Sequence, residues 1–179
     1  MLGKIENGPP QEQRSMQEMA VYRLLEQLEI PFSRLDHAPV MTAADGACDE
    51  IDAALKIPHL KNLFLRNSDK SRYFLVTMPA KKRLDFKELA LFLSTSRLAF
   101  GDAEQMEEFL GLKPGSVSIL GLMNDVQNRV QLVMDARIAS LPAIGCHPCV
   151  NTTTLRLATQ DVLDRFLKAV GHTALLARL

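Results

Sequence analysis

Apolar residues along this chain fall into short blocks whose spacing changes from one block to the next. Ser15-Met-Gln-Glu18 has the capping-box form, in which side chains satisfy the free amides of a helix start. Val21, Leu24, Leu25 and Leu28 then recur at helical spacing. Ile30-Pro31 closes that helix, because the residue before proline avoids the α region. Phe32 to Asp36 predicts a strand, His37 to Thr42 a turn, and Thr42 a cap for a helix through about Leu55. Pro58 breaks that helix. Leu60 to Leu65 and Tyr73 to Met78 are β-rich runs joined by a turn at Asn67-Ser-Asp69, which predicts a hairpin with the second strand inside.

The second half alternates in the same way. Asp85-Phe-Lys-Glu88 opens a helix with Phe86, Leu89, Ala90 and Leu93 facing inward. Arg97 to Phe100 predicts a short strand. Asp102 caps a further helix, whose apolar face is Met106, Phe109 and Leu110, and Gly111 stops it. Pro114-Gly115 is a turn, and strands follow over Val117 to Leu120 and Val130 to Met134. Cys146 to Asn151 is loop and Thr152 to Leu157 a strand. Thr159 caps a last helix with Val162, Leu163, Phe166, Leu167 and Val170 inward, ended by Gly171. Strands and helices mix without a strict βαβ rhythm. The expected fold is α/β (α+β), a mixed sheet with helices packed on it.

Length and composition narrow the class. The 179 residues fit one domain, residues 15–179, preceded by a loose arm over residues 1–14 that carries Pro9-Pro10. Apolar residues are 47%, enough for a core, and no apolar run reaches the ~18–20 residues of a membrane span. No signal peptide is visible and the three cysteines are not spaced as a secreted framework, so cytoplasm is the expectation. The 21 basic and 21 acidic residues cancel, which argues against a protein that coats nucleic acid non-specifically. The distribution is uneven: residues 56–87 hold nine Lys/Arg against two Asp, a local +7. Such a face could meet a phosphate backbone or simply be solvated.

Candidate chemistry collects in His147-Pro-Cys-Val-Asn-Thr-Thr-Thr154, which puts an imidazole, a thiol, an amide and three hydroxyls into eight residues. Two other stretches look built to meet it, Lys61-Asn-Leu-Phe-Leu65 and Lys113-Pro-Gly-Ser-Val-Ser118, and the three are expected to form one pocket. Cys146-His-Pro-Cys149 is a C-x-x-C pair, but strand rather than helix follows it, against a redox site. Zinc lacks a fourth ligand near the two thiols and His147, since Cys48 stands alone. A serine nucleophile would need Ser116 or Ser118 with His147 and Asp125, and no G-x-S-x-G elbow is present. The Pro-Gly-Ser-Val-Ser order suits either a plain turn or backbone amides offered to an anion or carbonyl oxygen. Lys61, at the edge of an apolar strand, either points a charge into a cleft or snorkels to solvent.

Taken together these motifs resemble the YbaK/ProX family, free-standing relatives of the editing domain of bacterial prolyl-tRNA synthetases. The likeness runs from about Ser15 to His172. It rests on His37-Ala-Pro-Val-Met-Thr42, Lys61-Asn-Leu-Phe-Leu-Arg66, Arg97-Leu-Ala-Phe100, Leu112-Lys-Pro-Gly-Ser-Val-Ser118, Gly121-Leu-Met-Asn-Asp125 and His147 to Thr154. It is nearest the ProX branch, which deacylates alanyl-tRNA(Pro), rather than the YbaK branch, which removes cysteine. Ile119 departs from the relatives, which often carry proline there.

The resemblance implies a mixed, partly barrel-like sheet with surrounding helices. It implies an enzyme hydrolysing the ester between a wrong amino acid and the tRNA 3′ ribose, without cofactor or metal. The catalytic positions it implies are Lys61 and His147; the substrate-binding positions are Asn62, Gly115, Ser116, Val117, Ser118 and Asn151. The implied partner is the 3′ aminoacyl end of tRNA, with prolyl-tRNA synthetase left open as a second and no membrane. Rival readings are a Cys-tRNA(Pro) deacylase, a non-catalytic amino-acid or nucleic-acid-binding module of the same fold, and a C-x-x-C thiol-redox protein.

Overall fold

The apolar run Tyr73–Pro79 becomes the most enclosed strand of a five-stranded sheet, as expected for a segment with no polar face. The computed structural model describes residues 2–40 and 46–179, so the expected cap at Thr42 lies outside the described residues. In chain order the strands are β1 (Ile5–Asn7), β2 (Phe32–Asp36), β3 (Leu60–Asn67), β4 (Tyr73–Pro79), β5 (Leu98–Phe100), β6 (Val130–Asp135), β7 (Ala143–Cys146), β8 (Thr153–Ala158) and β9 (Ala174–Ala177). The helices are α1 (Met16–Gln27), α2 (Gly46–Leu55), α3 (Phe86–Phe92), α4 (Ala103–Leu110) and α5, which runs through Thr159–Asp161, a π-helical Val162–Phe166 and Leu167–Ala169.

The strands form two sheets. One has the order β1-β2-β8-β7 and is antiparallel throughout; the other, β5-β3-β4-β6-β9, is mixed, with β4, β6 and β9 parallel. The larger core lies between them and includes Phe32, Leu155 and Ile144 from the first sheet and Phe64, Leu75 and Leu132 from the second, with α1, α4 and α5 around it. A second core sits between the far face of the five-stranded sheet and α3, through Leu65, Phe74, Val76, Met78, Leu89 and Leu93. A third, smaller one joins Leu35 of β2 to Ile51 and Leu55 of α2 and to Ile57. Among the described residues no helix is long and apolar enough to cross a membrane.

Several expectations change. The stretch expected as a loose arm contributes β1, whose Ile5 to Asn7 pair with Leu35 to Ser33. Arg14 is anchored as well, on Glu12, Glu18 and Asp36. Val117 to Leu120 is not a strand: Ser118 accepts from the amide of Leu120 at 3.2 Å and caps a 3-10 helix, Ile119–Asn124. Strands β7 and β9 arise from short small-residue or terminal segments that carry no alternation to betray them. Thr159 does not cap α5. Ala158 holds the cap position, and the Thr159 hydroxyl is buried without a hydrogen-bond partner among the described residues. Ser15 and Asp85 do cap α1 and α3.

Candidate active site

Strand β7 ends at Cys146, and the next residue, His147, turns its ring under α2. There it lines a cavity of about 70 Å3. Its lining includes apolar Val40, Ile51, Ile57 and Leu60 and polar Asp52, His59, Asn62, His147 and Thr154. Gly145 forms part of the lining because a Cβ there would meet Ile57 Cδ1 at 2.4 Å. Three larger hollows, of about 620 to 670 Å3, are surface grooves that contain neither His147 nor Asn62. An apolar cavity with a few convergent polar groups is the place to look for binding and chemistry.

The imidazole is held by its neighbours. His147 Nδ1 lies 2.9 Å from the carbonyl oxygen of Thr153. A carbonyl only accepts, so Nδ1 carries the proton and Nε2 presents a lone pair. Burial holds the pKa of His147 below the ordinary imidazole value, and His37 beside it acts in the same direction, against the Thr153 bond. The rings of His37 and His147 meet edge to face at 6.2 Å. His37 is fixed in turn: Nδ1 is 2.8 Å from the Ala38 carbonyl and Nε2 3.0 Å from the Thr154 hydroxyl. The His37 and Asn151 turns are laced together, with His37 N donating to Thr152 O and Val40 N to Asn151 O.

Asn62 is the polar residue of β3 that lines the cavity. Its Nδ2 donates to the carbonyl of Val117 at 3.0 Å, and its Oδ1 accepts from Thr77 at 2.7 Å. This bond joins the second and third expected stretches. Lys113-Pro114-Gly115-Ser116 is a turn with Gly115 at φ +88°, and Ser116 N donates to Lys113 O at 3.0 Å. Proline second and a left-handed glycine third make it a type II turn. Ser116 Oγ also donates to Lys113 O, at 2.8 Å.

The three stretches therefore do not form one pocket in the way expected. Asn62 and His147 share the cavity; Lys61, Gly115, Ser116, Val117, Ser118 and Asn151 do not line it. Side chains alternate along a strand, so Lys61 leaves β3 on the face opposite Leu60 and Asn62. Its Nζ donates to the Lys82 carbonyl at 2.5 Å. Ser116 and Ser118 are absorbed in the turn and the 3-10 cap, and Asp125 accepts from the amides of Arg129 and Val130. Among the described residues these groups assemble no serine triad. Cys146 and Cys149 are free and buried, and burial pushes both thiols up to about 12, far from thiolate-forming values. Among the described residues no group of three or more His, Cys, Asp and Glu is placed to hold a metal ion.

Asp52 and His59 were not picked out in the sequence, and His37 and Thr154 entered only inside quoted motifs, with no role of their own. His59 stands two residues before Lys61, and Asp52 one helical turn before the end of α2, among other acids of the same helix. Nothing in the local pattern separates them from solvated neighbours.

A small cavity lined by an imidazole, a carboxamide and apolar side chains suits a compact group that is partly apolar and partly polar. A family model described as "Aminoacyl-tRNA editing domain" matches residues 37–165, and the chain belongs to that family. The chain is accordingly an editing enzyme of the aminoacyl-tRNA deacylase class, an ester hydrolase. It is 30% identical over 154 residues to the "Prolyl-tRNA editing protein ProX" of Acetoanaerobium sticklandii, covering 86% of this chain and 92% of that one. It is 29% identical over 159 residues to "Prolyl-tRNA synthetase associated domain-containing protein 1" of Danio rerio, covering 83% and 80%. A solved structure of a proposed trans-editing enzyme for prolyl tRNA synthetase superposes with a TM-score of 0.63 at 16% identity, covering 91% of this chain and 97% of that one. At that identity the likeness speaks for the fold alone.

Proposed function

We propose that this enzyme removes alanine from mischarged tRNA(Pro). The observation that carries the reading is the size and lining of the cavity. Its volume of about 70 Å3 is roughly that of two waters. That space suits a methyl group better than a pyrrolidine ring. The likeness to a prolyl-tRNA editing protein supplies the tRNA.

The need for such a sieve follows from magnitudes. A pocket built for proline gains only ~1–3 kcal/mol against a residue that lacks a methylene, too little for accurate charging. A second site that admits only the smaller residue supplies the rest. The ester itself is activated, so the protein has to hold it, order a water and favour charge on the carbonyl oxygen. His147 Nε2 accepts a proton from the water as oxygen attacks the carbonyl carbon. The bond to the ribose oxygen then breaks and that oxygen takes the proton back from Nε2, with the vicinal ribose hydroxyl hydrogen-bonded to it, giving free alanine and deacylated tRNA.

The remaining residues take outer roles. Asn62, braced by Val117 and Thr77, faces the ester. The Gly115 to Ser118 turn and the backbone of Asn151 hold Asn62 and Val40 in place. Lys61 reaches the rim beside Lys81, Lys82 and Arg83, where exposed cations suit the terminal phosphates better than the buried ester. Deacylation measured on alanyl-, cysteinyl- and prolyl-tRNA(Pro) tests the whole. Alanine is released fastest and proline at the background rate; equal rates on alanine and proline would end the reading.

A further inference from the structure

We infer that the Asp52 carboxylate binds the α-ammonium group of the aminoacyl ester, and that His59 positions that carboxylate. The inference rests on the cavity being the aminoacyl site. Asp52 lies on α2 and His59 just ahead of β3; both line the cavity, and His59 Nδ1 is 2.5 Å from Asp52 Oδ2. Both side chains are under a fifth exposed.

The chemistry of the substrate selects the carboxylate. An aminoacyl ester carries a side chain, an ammonium and a carbonyl on one carbon. A site for it needs an apolar wall, an anionic acceptor and a water-ordering base on three different sides. Ile51 and Ile57 supply the first and His147 the last. Of the groups lining the cavity among the described residues, Asn62 and Thr154 carry no charge, and His147 is held toward its neutral form. Asp52 is the carboxylate there, and hydrogen bonds between ammonium and carboxylate are among the strongest a protein makes.

The state of the free site agrees. Burial raises the pKa of Asp52, and the bond from His59 only partly offsets it. An arriving ammonium relieves that desolvated charge, so the carboxylate is stabilised when substrate is bound. A merely structural Asp52–His59 clamp between α2 and β3 would serve every ester equally.

The test is a cycle of enzyme and substrate changes. Alanyl-tRNA is deaminated to lactyl-tRNA, which has a hydroxyl in place of the ammonium, and all rates are divided by the buffer rate for the same ester. Asp52→Asn is expected to lose about 10- to 100-fold in kcat/KM on alanyl-tRNA, the worth of a hydrogen bond to a charged group. On lactyl-tRNA it should change less than about 3-fold, with Tm unchanged. Equal losses on both esters, or none on either, would overturn the inference while leaving the deacylase reading intact. Should Asp52→Asn fail to fold, the wild-type preference for alanyl over lactyl ester reads the same contact, and a ratio below about 2 would overturn it. A wild-type enzyme that hydrolyses no mischarged tRNA at all removes the underlying function instead.

Discussion

His147 donates through Nδ1 to the carbonyl of Thr153 over 2.9 Å, while the hydroxyl of the same Thr153 donates to Asp36 over 2.9 Å. The orientation of the cavity imidazole is thus tied to a charged cluster on the next strand. Asp36 accepts from Arg14 through both oxygens, at 2.8 and 2.7 Å, and also pairs with Arg34, which in turn reaches Glu6. Glu18 closes the cluster with Arg14 at 3.1 Å and Tyr22 at 2.7 Å.

That cluster makes a stability prediction. The Arg14 guanidinium foremost, helped by Thr153 and Arg34, holds the Asp36 carboxyl well below the usual carboxylate range despite partial burial. A depressed carboxylate contributes stability that is present above its unfolded pKa and is lost as pH falls through that value toward the folded one. Asp36→Ala leaves Arg34, whose side chain is 3% exposed, with one carboxylate instead of two. Because Asp36 itself is about a third exposed, the expected loss is about 2 kcal/mol at pH 7, less than the ~3–5 kcal/mol of a fully buried broken pair. Urea unfolding checks it, and the gap between variant and wild type should narrow below pH 4.

His147 makes the kinetic counterpart. Its neutral form, with Nε2 open to accept, predominates above the ordinary imidazole pKa because burial favours it. The rate on alanyl-tRNA should therefore be flat on the alkaline side of His147 and fall on the acid side, with the midpoint below 6.5. His147→Ala is expected to lose ~100-fold, the usual scale for one general base, and to lose that acid limb. The same shift makes folding stability rise with pH across the window between the folded pKa and 6.5, because there the unfolded chain binds the extra proton. A rate that rises as pH falls would exclude His147 as the acceptor.

Much of the fold was legible because periodicity and caps act locally. Ser15, Asp85, Gly111 and the enclosed β4 did what their patterns imply. What local pattern could not show was partnership. Strand β1 exists because Leu35, Arg34 and Ser33 offer an edge to pair with, not because Ile5 to Asn7 favours extension. The π turn inside α5 has no sequence mark that we can name. The site was half legible for the same reason. His147 stands in a polar-rich motif, and Asn62 came only through the family resemblance. Asp52 and His59 matter only because α2 packs on β2 and so brings them to the cavity that His147 lines, which no local pattern announces. Lys61 was expected at the site through the family resemblance, and the two-residue period of β3 puts it on the face opposite Asn62.

The basic rim makes a binding prediction. Lys81, Lys82 and Arg83 are exposed and directly follow the end of β4, where Ala80 N donates to His59 O beside the cavity. Replacing all three by alanine removes phosphate contacts without touching the cavity. Affinity for tRNA should weaken, and the slope of log K against log salt should flatten by up to about 0.7–0.9 for each cation that contacts a phosphate. The single-turnover rate at saturating tRNA should hold within about 2-fold. Filter binding across a salt series measures the first effect and quenched-flow deacylation the second.

Cavity size makes the specificity prediction. Ile57 is 9% exposed, and its Cδ1 occupies the space in front of Gly145, where any Cβ would collide at 2.4 Å. Ile57 and Gly145 therefore set one dimension of the cavity between them. Ile57→Ala removes part of the apolar wall and lengthens the space available to the amino-acid side chain. The variant should accept prolyl-tRNA, with the alanine-to-proline preference falling at least ~10-fold, since each methylene accommodated is worth ~1–3 kcal/mol. It should also lose about 2–4 kcal/mol of stability as a buried large-to-small change. Gly145→Ala pushes the other way: the new methyl displaces Ile57 into the cavity, and hydrolysis of alanyl-tRNA should fall while tRNA affinity is kept. Paired measurements on alanyl- and prolyl-tRNA decide it. If Ile57→Ala slows both esters in equal proportion, the wall supports the fold but does not select the amino acid.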